Sequence, residues 1–177
     1  RTQLAMAAAE ELRVPLDQVS VVLADTGRTP DDGMTAGSRT TPSTVPSVRQ
    51  AAAEVRELLI GFAAEKLNLP ADTLAVSNGH VVRPGLPMPR IFLGYAILVN
   101  DPAVREKLAA QTPENVELTA SDEWQVLGKP QLAVEGRDKV TGAHQFPSDM
   151  KRPGMLYGAG LRSPTYRGKL RPGDLEP

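Results

Sequence analysis

The chain has 177 residues, 41% of them hydrophobic and 23% charged, with a formal net charge of −1; the length suits one ordinary domain or two small ones, and the balance suits a folded globular protein. No Lys/Arg cluster rises above a scattered background, which argues against a nucleic-acid-binding face, and no apolar run approaches the ~18 residues of a membrane span. The absence of cysteine excludes disulfides, thiolate metal sites and cysteine-held iron–sulfur clusters within these residues.

The chain opens at Arg1 directly into a helical pattern, with no signal peptide, and reads as a start cut from a longer polypeptide. Residues 3–12 are rich in alanine, with Leu4, Ala8 and Glu11–Leu12 at helical spacing, and Pro15 blocks continuation. Residues 19–23 (VSVVL) form a β-branched run that predicts a buried strand. Residues 25–44 hold Thr, Gly, Asp, Ser and Pro with almost no large apolar side chain, and predict an extended loop. A long helix follows over about 47–67, with Val48, Ala51, Ala52, Val55, Leu59, Phe62 and Leu67 at three- and four-residue steps. Arg49, Glu54, Arg56, Glu57 and Glu65 fall mostly elsewhere on its wheel, and Pro46 suits its first turn.

Residues 74–77 and 80–83 predict a hairpin, because Asn78–Gly79 between them accepts positive φ at both central positions. Residues 83–89 carry three prolines and predict irregular backbone, while 92–99 and 104–110 predict short helical pieces. Residues 111–123 read as a polar connector, with a boundary near 120–127. Beyond Trp124, residues 127–134, 142–146 and 155–161 predict strands or approaches to strands, and Gly158, Ala159 and Gly160 predict close backbone packing. The expected class is α+β, with the long helix packed on a small sheet that contains residues 19–23 and the hairpin.

The stretch most suited to chemistry is DTGRTPDDGMTAGSRTT, residues 25–41. Gly33 and Gly37 permit close backbone approach, Thr35, Ser38, Thr40 and Thr41 bring hydroxyls, and Arg39 brings a permanently charged fork. Amides near a helix start, hydroxyls and one Arg suit an anion such as a phosphate. The same composition also suits a surface loop whose Ser and Thr satisfy local backbone groups, although its length exceeds that of a routine connector.

The order of these pieces, EELRVPLDQVSVVLADTGRTPDDGMTAGSRTTPSTVPSVRQAAAEVRELL, resembles the molybdopterin-binding part of the large subunit of the xanthine dehydrogenase and aldehyde oxidase family of molybdenum hydroxylases. Within the family the resemblance is to isoquinoline 1-oxidoreductase and nicotinate dehydrogenase type subunits. A second stretch, LGKPQLAVEGRDKVTGAHQFPSDMKRPGMLYGAGLRSP, resembles the opening of the family's α/β hammerhead domain. Phe146 stands there where Tyr is usual, and Arg167-Gly168-Lys169 replaces the usual HAR. The resemblance implies residues 1–83 as part of a molybdopterin-binding domain, 84–123 as a connector matching nothing placed, and 124–177 as the start of an α/β hammerhead-like domain.

The same resemblance implies a buried molybdenum–molybdopterin cofactor in its cytosine dinucleotide form. It implies hydroxylation of an N-heterocycle or aldehyde with water as oxygen source, and an iron–sulfur electron-transfer subunit or domain as partner, beside the rest of the large subunit. It places Thr35, Ala36, Gly37, Ser38, Arg39 and Thr40 against the cofactor, in a cytoplasmic enzyme with the periplasm as the alternative. The family's general-base glutamate sits much further along than Pro177, so no catalytic residue is expected here, nor turnover by this piece alone. Self-association through uncovered apolar surface, on the helix face 48–59 and residues 155–161, is the matching expectation. The competing function is a non-catalytic protein that binds an anion or a partner on the same scaffold.

Other residues read more plainly. His80 and His144 lack further ligands at metal spacing, and His80 reads as a turn residue. Asp31–Asp32 reads as a solvated turn beside Pro30 and Gly33. Asp25 could orient the loop by accepting amide bonds, and Tyr157 and Arg162 read as packing and salt-bridge groups.

Overall fold

The computed structural model describes residues 1–23, 25–31, 33–34, 36–85, 91–110, 116–169 and 171, without the side chains of Ile91 and Phe92. The chain forms two compact units, Arg1–Val134 and Glu135–Pro177.

The first unit is α+β. Helix α1, Thr2–Leu12, buries Leu4, Ala5, Ala7 and Ala9. It stops at Arg13, held left-handed at φ 55°, and the Val14 N–H reaches back to the Ala9 carbonyl at 3.1 Å; this is the closing turn that glycine usually makes, set here two residues before Pro15. Helix α2, Val45–Leu67, ends on the same device, with Asn68 at φ 52° and the Leu69 N–H on the Ala64 carbonyl. The two helices pack on each other, and the buried alanines Ala5, Ala7, Ala9, Ala52 and Ala53 let their backbones approach closely.

Strands β1 (Ala75–Ser77), β2 (His80–Val82) and β3 (Ile91–Gly94) form an antiparallel sheet in that order. The register pairs Ser77 with His80 and Val76 with Val81, so Asn78–Gly79 is the two-residue turn expected. Gly79 sits at φ +70°, and a Cβ there would meet Val14 Cγ1 at 3.2 Å. Its N–H donates to the Arg13 carbonyl while its own carbonyl accepts the Tyr95 N–H, so the turn ties the end of α1 to the next helix. Helices α3 (Tyr95–Val99) and α4 (Pro102–Ala110) complete the layer. Leu59, Ile60, Phe62, Leu74, Val81, Leu98 and Val104 make the core, each large side chain contributing about 1.5–3 kcal/mol.

Several expectations are corrected. Residues 19–23 are not a strand: Leu16–Gln18 forms a tight turn, Val19 is extended, and no ladder partner lies beside the run among the described residues. A strand exists only where another strand takes its N–H and C=O groups. Residues 92–94 belong to β3, not to a helix, because pairing with β2 overrides local preference; the helix begins at Tyr95. The helix face 48–59, where exposure was expected, is covered in part: Ala52, Ala53 and Leu59 are buried, while Ala51 and Val55 are exposed. Arg49, Glu54 and Arg56 face inward as well. The expected irregular stretch 83–89 lies outside the described residues from Leu86 onward.

The second unit contains helix α5, Gly136–Thr141, and a short turn at Pro147–Asp149. No strand forms among its described residues, nor at 127–134 in the first unit, so the three strands expected after Trp124 are absent. A Cβ added at Gly158 or Gly160 would meet nothing within 4 Å, so the close packing expected there is absent too. Tyr157 and Arg162 are exposed. With so few buried neighbours, no apolar face exists for a ladder to cover.

Candidate functional site

The loop before α2 is built from local turns. Asp25 starts it: its carbonyl accepts the N–H groups of Arg28 and Thr29 and the Thr29 hydroxyl, and its carboxylate accepts the Gly27 N–H at 3.0 Å. Asp31 repeats the move, accepting the Gly33 N–H at 2.8 Å; the side chain of each Asp stands in for a backbone acceptor. Asp31 is therefore a turn former, while Asp32 lies outside the described residues.

Gly33 (φ 76°), Gly37 (φ 61°) and Ser38 (φ 55°) are left-handed, and Arg39 returns to the right-handed region. Such an alternation makes successive N–H groups converge into an anion-binding hollow. Among the described residues the N–H groups of Gly37 and Ser38 have no acceptor. Thr40–Thr44 then forms one wide turn, with the Val45 N–H on the Thr40 carbonyl, that runs into α2. Pro42 within it and Pro46 just after it have no N–H to place. The Thr41 hydroxyl donates to Gln3 Oε1 at 3.1 Å, fastening the turn to α1.

Two adjoining recesses result. The smaller, of ≈ 210 Å³, is lined by Met34, Ala36, Arg39 and Ser43, together with Gly33, Thr40 and Thr44. The larger, of ≈ 750 Å³, shares those last three and adds Leu4, Leu23, Thr26 and Thr29 among others. Of the six residues singled out from sequence, Ala36, Arg39 and Thr40 line the smaller recess, Gly37 and Ser38 form the left-handed turn above it, and Thr35 lies outside the described residues. The Arg39 guanidinium has no hydrogen-bond or ion-pair partner among the described residues. A lone guanidinium beside hydroxyls and unused amides fits a phosphate-bearing group.

A second constellation escaped the sequence reading. Glu10 is 1% exposed and Glu11 0%. The Glu10 carboxylate accepts the N–H groups of Gln125, Val126 and Leu127 at 3.0, 2.7 and 2.9 Å. Glu11 accepts Arg49 Nε at 2.8 Å, Arg56 Nη1 at 3.2 Å and the Thr119 hydroxyl at 2.9 Å. Arg49 also lies over the Trp124 ring at 5.3 Å. The signal was present: Arg49 and Arg56 are seven residues apart and so share one helix face.

Both histidines are accounted for locally. His80 Nδ1 lies 2.8 Å from the Asn78 carbonyl, and His144 meets the Phe146 ring edge-on at 4.6 Å. Burial pushes the Tyr95 phenol well above its ordinary value, keeping it neutral, and its hydroxyl has no partner among the described residues. No helix among the described residues is long and apolar enough to cross a membrane.

Comparison with known proteins bears on the loop. Residues 1–147 match the molybdopterin cofactor-binding domain family. The chain is 34% identical, over 168 residues and 95% of its length, to a subunit of nicotinate dehydrogenase from Pseudomonas putida. It spans 13% of that relative's length.

Proposed function

The chain belongs to the molybdopterin cofactor-binding domain family, within the xanthine dehydrogenase family of molybdenum oxidoreductases, and from that premise we propose that residues 33–44 cradle the cofactor's phosphate-bearing tail. Thr35, Ala36, Gly37, Ser38, Arg39 and Thr40 are the proposed contacts. Arg39 neutralises a phosphate, and Gly37 lets the backbone approach without a Cβ between. Ser38 and Thr40 offer N–H and hydroxyl donors. The observation that carries this reading is the Arg39 guanidinium, without a partner among the described residues, in the lining of a recess it shares with Thr40, Ser43 and Thr44. The second recess, which shares Gly33, Thr40 and Thr44 with the first, supports a dinucleotide form, the cytosine one by resemblance.

When bound, such a cofactor supplies the redox chemistry by which a ring or aldehyde carbon gains oxygen from water. An N-heterocyclic substrate is favoured, since the relative is a nicotinate dehydrogenase. The chain's own part is binding and orientation. Its buried carboxylates Glu10 and Glu11 are saturated by donors, so neither is placed to move a substrate proton, and turnover needs the remainder of the large subunit. That relative is named as one subunit, which supports an iron–sulfur electron-transfer partner. The same resemblance assigns residues 1–83 to the cofactor domain, 84–123 to a connector and 124–177 to the start of an α/β hammerhead-like domain, whose strands form against other parts of the large chain.

The test is molybdenum and pterin content of the complete subunit. Arg39→Ala removes a charge-assisted contact worth about 1.5–3 kcal/mol, so retention falls roughly ten- to a hundredfold. Gly37→Val lowers it further, because a β-branched residue resists positive φ. Full occupancy in both variants would make the loop an ordinary connector.

A further inference from the structure

We infer that the buried Glu11–Arg49 pair is the positioning device of the loop: it fixes the start of α2, and with it residues 36–44, against α1. The inference rests on reading that loop as the cofactor site. Arg49 lies in the second turn of α2, five residues after Thr44. Its guanidinium is gripped from two directions, by the Glu11 carboxylate at 2.6 and 2.8 Å and by the Thr119 carbonyl at 2.6 Å. Apolar packing alone lets a helix slide or rotate at small cost. A forked guanidinium held between a carboxylate and a carbonyl allows one register.

That register sets the rotation of the turn carrying Thr40, Ser43 and Thr44. Gln3, eight residues before Glu11 on α1 and so about 12 Å along it, receives the Thr41 hydroxyl at 3.1 Å. Two attachments on one helix define both the place and the rotation of the loop's exit. Arg39 has no partner of its own among the described residues, so its aim depends on this frame. Arg56 and the Thr119 N–H and hydroxyl complete the shell around Glu11, so the charge is compensated and cannot reorient freely. Glu10 is the internal control. It is equally buried, but its hydrogen bonds go to residues 125–127 and none reaches α2.

The test is a double-mutant cycle in the complete subunit. Molybdenum and pterin retained after gel filtration are measured for Glu11→Gln, Arg39→Ala, their combination and Glu10→Gln, with the thermal midpoint of each. Glu11→Gln lowers retention about tenfold, a usual size for coupling between two sites. In the Arg39→Ala background the same change costs less than about threefold, because the group being aimed is gone. Glu10→Gln lowers the thermal midpoint and leaves retention unchanged. Should Glu11→Gln yield no folded subunit, Arg49→Lys, which keeps the charge and loses the fork, carries the same cycle. Additive losses in the double variant, or an equal loss with Glu10→Gln, would overturn the positioning role and leave the loop reading standing. Full retention in Arg39→Ala would remove the loop reading and this inference with it.

Discussion

Residues 1–134 and residues 135–171 treat the same kinds of side chain differently. In the first unit, Leu59, Phe62, Val81 and Leu98 are buried by a sheet on one side and helices on the other. In the second, Val140, Phe146, Leu156, Tyr157 and Leu161 remain open to solvent, Leu156 at 92%. The second unit is poorer in hydrophobic residues, and it also lacks a second layer to close on. A short apolar run becomes a strand or a core face only when another element covers it, and the second unit holds one short helix and no strand among its described residues.

The largest expected effect exploits that contrast. Leu98→Ala, at a site 0% exposed, opens a cavity and lowers the stability of the chain by about 2–5 kcal/mol in urea denaturation. Leu156→Ala changes it by no more than about 0.5 kcal/mol. Equal costs at the two positions would show that residues 135–171 own a core that the structure does not contain.

The same logic separates what could be read in advance from what could not. Helices α1 and α2 and the Asn78–Gly79 hairpin were legible because their signals are local: periodic apolar positions, prolines just after α1 and in the first turn of α2, and a turn dipeptide. Residues 19–23 form no strand and residues 92–94 do because a strand is a relation between segments, and β2 had one free edge to offer. In the site, composition marked the loop and Arg39, since Gly, Ser and Thr without apolar anchors cannot form a core. Glu10 and Glu11 were hidden because charged residues on an amphipathic helix normally face water. Only their partners, 38 to 117 residues away, make burial tolerable.

A middle-sized effect compares two glycines. Gly79→Ala places a methyl 3.2 Å from Val14 Cγ1 in a left-handed conformation, and should cost about 1–2 kcal/mol. It should also loosen the tie between Arg13 and Tyr95, seen as faster exchange of the residue-79 amide, which donates to the Arg13 carbonyl, and of the Tyr95 amide, which donates to the residue-79 carbonyl. Gly158→Ala meets nothing within 4 Å and has no positive φ, so it should be neutral. A neutral Gly79→Ala would mean that the turn does not constrain the end of α1.

The smallest effect concerns an exposed pair at the α4 end of the first unit. Lys66 Nζ lies 2.6 Å from Asp101 Oδ2, and the other Asp101 oxygen accepts the Ala103 N–H at 3.0 Å, capping α4. The Lys66 hydrogen bond, then the Ala103 N–H, hold the Asp101 carboxyl below its ordinary value. A carboxyl with a folded value below its unfolded one stabilises the fold while ionised. Its contribution is therefore complete above the unfolded value and disappears as pH falls through the folded one. Asp101→Asn should thus be slightly less stable than the parent at neutral pH, and the gap should close as pH drops below about 4. Because the pair is solvent-exposed, added salt should shrink the gap at neutral pH as well. A gap that stays constant down to about pH 3 would show that the effect does not come from the Asp101 charge.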